Sequence, residues 1–148
     1  MTKAVKKSFR IHVDGGARGN PGPAAAGVVI AAADDGVVLF QGGFYLGRAT
    51  NNVAEYQGLL AALKKAAELG AEEVEVISDS ELMVRQMNGQ YRVKNEGLKP
   101  LYEQAQSLRS RFKKFAITNV RRAANKAADK LVNQALNVQA NVEDAAGA

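Results

Sequence analysis

The sequence predicts a single α/β domain: a five-stranded mixed sheet, three antiparallel strands followed by two parallel ones, flanked by helices. Three observations predict it. Residues 8–46 hold three apolar stretches separated by turn signals, the pattern of a meander. Residues 53–78 change to helical spacing and back to a β-branched run, and such a crossover lays the later strand parallel to an earlier one. The 148 residues contain no internal repeat or linker, and a chain of this size buries roughly two-thirds of its unfolded surface in one core.

Each element has its own signal. In 8–14, Phe9, Ile11 and Val13 alternate with His12 and Asp14, and the glycine-rich run from Gly15 to Gly22 is expected to break the strand just after Asp14. The second strand is 24–33; Asp34-Asp35-Gly36 turns the chain into the third, 37–46. Tyr56, Leu59, Leu60, Leu63 and Ala67 then share a helix face, which Gly70 ends. Residues 74–78 form the fourth strand, and Asp79 or Ser80 caps a short helix closed by Gly89. A polar loop over 90–97 leads to a helix with Pro100 near its start, and then to a fifth strand over 115–120. Asn125 caps the last helix, whose core face is Leu131, Val132, Ala135 and Leu136. Residues 1–7 read as a flexible basic end and 138–148 as a flexible tail, leaving 8–137 as the domain.

Composition narrows the chemistry. The lack of cysteine excludes disulfides, thiolate-bound zinc and thiol catalysis. No apolar run approaches the ~20 residues of a membrane span, and the first residues lack a signal peptide's apolar core, so a cytoplasmic protein without membrane attachment is expected. The net charge of +5 is unevenly spread: residues 85–130 carry 12 basic against 3 acidic side chains, a net of +9, whereas residues 1–84 carry 8 against 10, a net of −2. Cations in one half and carboxylates in the other suit an enzyme acting on a polyanion, although a solvated basic surface would look the same.

Four carboxylates stand at element boundaries: Asp14, Glu55, Asp79 and Asp129. Each has an ordinary explanation, such as the Asp14-Gly15 turn, a capping box from Asn52 to Glu55, an N-cap at Asp79, or helix-dipole complementation by Asp129. Together they suggest a hard divalent cation, magnesium or manganese. Strands 1 and 4, if adjacent, bring Asp14 and Asp79 side by side, and like charges at that range need a shared cation. Thr50, Asn51 and Asn52 crowd more polar groups before Glu55 than one cap uses, and Arg48 with Thr50 would suit a phosphate.

The run from Asp14-Gly15-Gly16 to Asn20-Pro21-Gly22, then 47–55, then Ser78-Asp79-Ser80, then 125–129 with Ala135 resembles the type 1 ribonuclease H family, in order and over most of the chain. The resemblance implies the ribonuclease H-like fold and endonucleolytic cleavage of the RNA strand of an RNA–DNA hybrid, giving 5′-phosphate and 3′-hydroxyl products. It makes Asp14, Glu55, Asp79 and Asp129 catalytic ligands of two magnesium ions, with manganese a possible substitute. It further implies that Gly15, Asn20, Asn51 and Asn52 meet the hybrid, the asparagines in its minor groove, and that Arg48, Thr50 and Asn95 grip a phosphate of the DNA strand.

Two features depart from the family pattern. Only 89–97 stands where some members insert a basic helix and loop, and the loop just before Asp129 lacks the histidine that many members carry there. Arg122 is the nearest polar substitute, Arg121 the second choice; His12 lies on the first strand and reads as a packed residue. A junction-resolving or integrase-like nuclease of the same fold, or a non-catalytic hybrid-binding module, remains an alternative. Without a heptad or an exposed apolar stripe, a monomer is expected.

Overall fold

A computed structural model describes residues 7–144; residues 1–6 of the basic end and 145–148 of the tail lie outside the described residues. β1 (Ser8–Ala17), β2 (Gly22–Ala32) and β3 (Val38–Ala49) pair antiparallel in sequence order. Phe9, Ile11 and Val13 turn into the core, and β2 is buried along most of its length because helices cover both of its faces. α1 (Asn51–Glu68) then crosses to β4 (Glu73–Ser78), which lies parallel to β1. After α2 (Glu81–Met87) and α3 (Lys99–Arg109), β5 (Lys114–Asn119) joins parallel to β4. A single 3-10 turn, Arg122–Ala124, leads into α4 (Lys126–Val138).

Two expectations need correction. The sheet has six strands, not five: β6 (Val142–Asp144) pairs with β3 at its edge, giving the order β5-β4-β1-β2-β3-β6. Three residues within a stretch read as a flexible tail leave no periodicity to detect, and what orders them is the open edge of β3, with the Asn141 Oδ1 accepting from the Tyr45 amide at 2.8 Å. β1 also does not end at Asp14. It pairs with β2 through Gly15, Gly16 and Ala17, and the turn comes after them.

The main core lies between the sheet and α1, α2 and α3, with Ile11, Ile30, Leu59, Leu63 and Met83 fully enclosed. On the other face α4 packs Val132, Ala135 and Leu136 over β2 and β3. That contact is close because two glycines permit it. A Cβ on Gly27 would stand 2.2 Å from the Ala128 carbonyl oxygen, and one on Gly43 would stand 2.5 Å from that of Leu131. Side chains at either position would lift the helix that carries Asp129. Among the described residues, no helix is long and apolar enough to cross a membrane.

Candidate active site

The carboxylates converge where β1 and β4 run side by side. The parallel register pairs Val13 with Ser78, so the next residues, Asp14 and Asp79, emerge as neighbours. Glu55 reaches the same point from the first turns of α1, which approaches β1 closely at Gly15, where a Cβ would stand 2.3 Å from the Ala54 carbonyl carbon. Oxygens of Asp14, Glu55 and Asp79 lie within 4.8 Å of one another.

Asp129 lines the same cleft, of about 450 Å³, but its Oδ1 accepts from the Arg122 guanidinium at 3.4 Å. Its place is fixed through Asn125, which is 1% exposed. Asn125 is the N-cap residue of α4, as the sequence suggests, but its side chain makes no capping bond: its Nδ2 donates to the Val13 carbonyl at 2.7 Å, tying the start of α4 to the strand just before Asp14.

The helix start before Glu55 also differs from the expected capping box. Thr50, not Asn52, is the N-cap, with Oγ1 accepting from the Val53 amide at 3.2 Å. Glu55 therefore lies beyond the position from which a carboxylate could bond back to the cap, and it is free to turn inward. Likewise Ser80 rather than Asp79 caps α2, its Oγ accepting from the Met83 amide, which releases the Asp79 carboxylate for the cluster.

Burial and mutual repulsion make the cluster costly. Burial first, then the Asp79 charge, pushes Asp14 up to about 8, although the Gly15 amide works the other way. Burial, followed by the charges of Asp14 and Asp79, pushes Glu55 up to about 10. Glu55 Oε2 is buried without a hydrogen-bond partner. An orphaned carboxylate oxygen beside two more carboxylates, all hard oxygen donors, fits a divalent cation of the magnesium class.

The expected substrate-contact residues surround the helix start. Asn20 Oδ1 accepts from the Asn51 amide at 3.0 Å, and Asn51 Oδ1 accepts from the Ala17 amide at 2.8 Å, bracing the β1–β2 turn against α1. Arg48 and Asn52 are exposed nearby. Asn95 is elsewhere in its bonding: its Oδ1 accepts from the Gly97 and Leu98 amides and shapes the loop before α3. Sequence reasoning missed Arg18 and Asn133, which also line the cleft: Arg18 follows directly on the end of β1, and the packing of α4 brings Asn133 there.

Residues 12–135 match the family described as reverse transcriptase-like. Ribonuclease HI of Halobacterium salinarum is 44% identical over 129 residues, covering 86% of this chain and 64% of that protein. This chain belongs to the type 1 ribonuclease H family. The N-terminal RNase H domain of Rv2228c from Mycobacterium tuberculosis, solved as a fusion with maltose-binding protein, superposes with a TM-score of 0.87 at 48% identity over 90% of this chain and 96% of that one. The full-length Rv2228c, a bifunctional protein 50% identical over 88% of this chain, is longer: the chain spans 36% of it. LC11-RNase H1, solved in complex with an RNA/DNA hybrid, has a TM-score of 0.83 at 40% identity, over 88% of this chain and 98% of that one. The four carboxylates of this ribonuclease H domain thus sit in one cleft, three in mutual contact range and the fourth paired with Arg122.

Proposed function

We propose that this domain is an endonuclease that hydrolyses the RNA strand of RNA–DNA hybrids and leaves 5′-phosphate and 3′-hydroxyl ends. The observation that carries the proposal is the buried cluster of Asp14, Glu55 and Asp79, with an unpartnered Glu55 oxygen, in a chain whose relatives are ribonucleases H. Asp14, Glu55, Asp79 and Asp129 would hold two magnesium ions, which when bound activate water and stabilise the charge on the leaving 3′ oxygen. The protein acts as a cytoplasmic monomer on this proposal.

The chain's own groups supply grip and orientation. Asn20 and Asn51 spend their side-chain oxygens on the brace between turn and helix, which leaves their NH₂ groups to donate. Such donors, with those of Asn52, suit the 2′-hydroxyls and base edges that a hybrid's minor groove displays. Arg48 and the Thr50 hydroxyl hydrogen are assigned to a phosphate of the DNA strand, with Asn95 extending that contact and Gly15 meeting the hybrid beside Asp14. Arg122 attracts the scissile or product phosphate.

The test is cleavage of a hybrid, a duplex RNA and a duplex DNA, with and without magnesium. Only the hybrid should be cut, and only with the ion. Asp14→Asn and Asp79→Asn should each abolish cleavage while hybrid binding persists, because the lost charge is a metal ligand. Turnover within about tenfold of the parent in either variant would contradict the assignment.

A further inference from the structure

Arg18 is a cation that none of these roles employs. It is exposed in the turn after β1 and lines the cleft that holds the four carboxylates. A guanidinium there would be expected to fold onto a carboxylate, as Arg122 does onto Asp129. Arg18 does not: its Nη2 donates to Asn137 Oδ1 at 2.7 Å, and among the described residues no carboxylate is within ion-pair distance of it.

Asn137 stands on the same face of α4 as Asp129 and Asn133, at successive intervals of four residues. Eight residues at the helical rise place it about 12 Å along the axis from Asp129. Its amide oxygen fixes the arginine without cancelling the charge, and it occupies one of the guanidinium's five N–H donors. The others remain in a planar fork, the geometry that matches a phosphate.

We propose that Arg18 grips a backbone phosphate of the strand being cut, toward the Asn137 end of α4 rather than at the carboxylates, and that Asn137 holds it there with its charge intact. The inference rests on the hybrid-cleaving function proposed above. The strand follows from the cleft: Arg18 shares it with the carboxylates that act on RNA, so the phosphate belongs to the RNA strand.

The test is binding of a fluorescent RNA–DNA hybrid by anisotropy across a salt series, in EDTA so that the hybrid stays intact. Arg18→Ala should weaken binding several-fold and lower the slope of log Kd against log salt by about one. Asn137→Asp should reproduce that loss although Arg18 is still present, because a carboxylate neutralises it; Asn137→Ala should keep the slope. A neutral methylphosphonate walked along the RNA strand should find one linkage that weakens the parent protein and leaves Arg18→Ala unaffected. An unchanged slope in Arg18→Ala, with or without a lower melting temperature, would make the Arg18–Asn137 contact a tether between turn and helix and overturn the proposal. Sensitivity only to DNA-strand linkages would overturn it as well. A parent protein that neither prefers nor cuts the hybrid would instead refute the proposed function, whereas a normal parent with an indifferent Arg18→Ala would refute this inference alone.

Discussion

Arg122 cannot act as a proton donor near neutral pH, since a guanidinium stays charged far above it. Its contact with Asp129 is long and open to water, with the arginine side chain 77% exposed, so the pair adds little to stability. It places a solvent-exposed cation beside the fourth carboxylate. Arg122→Ala is expected to lower kcat by several-fold to about a hundredfold with little change in KM, a smaller loss than removing a carboxylate. Steady-state kinetics check this, and a pure KM effect would place Arg122 with the general basic surface. His12 should contribute no limb to the pH–rate curve: it is half-buried, and burial followed by the Arg10 charge lowers its pKa while Glu75 partly opposes them.

Thr50 caps α1 and is proposed to meet a phosphate as well. As the α1 N-cap it stabilises the helix that carries Glu55, so Thr50→Ala should cost about 1 kcal/mol in urea unfolding, with Thr50→Ser nearly neutral. If the hydroxyl also meets a phosphate, hybrid affinity should fall beyond what the stability loss explains.

At the level of elements, the site depends on how closely two helices approach the sheet, and glycines set both approaches. Gly27→Ala should destabilise the fold by roughly 1–3 kcal/mol, the usual range for overpacking, because its Cβ has no room below the Ala128 carbonyl. Cleavage should fall further than the unfolded fraction predicts, since the displaced residue is the immediate neighbour of Asp129. Urea titration beside kinetics under fully folding conditions separates the two effects.

These approaches mark the limit of what the sequence discloses. Strand alternation, the crossover and the helix faces are local periodicities, so the order of β1 to β5 and α1 to α4 was legible, and the parallel pairing of β1 with β4 predicted the meeting of Asp14 and Asp79. The exact cap was not, because Thr50, Asn51 and Asn52 are all capable and only tertiary contacts choose: Asn51 is taken by the Ala17 amide, leaving Thr50 to cap. Asn125 was legible as the cap of α4, but its side-chain bond was hidden for the same reason, its partner Val13 being 112 residues away. β6 is ordered by an edge rather than by its own pattern.

On the scale of the whole molecule, the carboxylate cluster opposes the fold that creates it. Asp14 and Glu55 have ordinary values of 3.8 and 4.5 and are raised to about 8 and about 10 in the folded protein. The folded state therefore holds protons that the unfolded chain has released, and stability falls wherever the unfolded state binds fewer protons. This contribution is fully present below about pH 4 and is lost as pH rises through the folded values of these two groups. Without metal, the melting temperature should decline from mildly acidic to alkaline pH. Glu55→Gln, which removes one of the buried charges, should flatten that decline and be the more stable protein at high pH. On the proposed function magnesium should reverse the order: an ion taken up by the deprotonated, folded cluster would stabilise the parent increasingly with pH and Glu55→Gln much less. Melting curves in EDTA and in magnesium across this range, for both proteins, read the linkage directly. Parallel pH profiles for parent and variant would mean that the buried carboxylates are not what couples this fold to protons and metal.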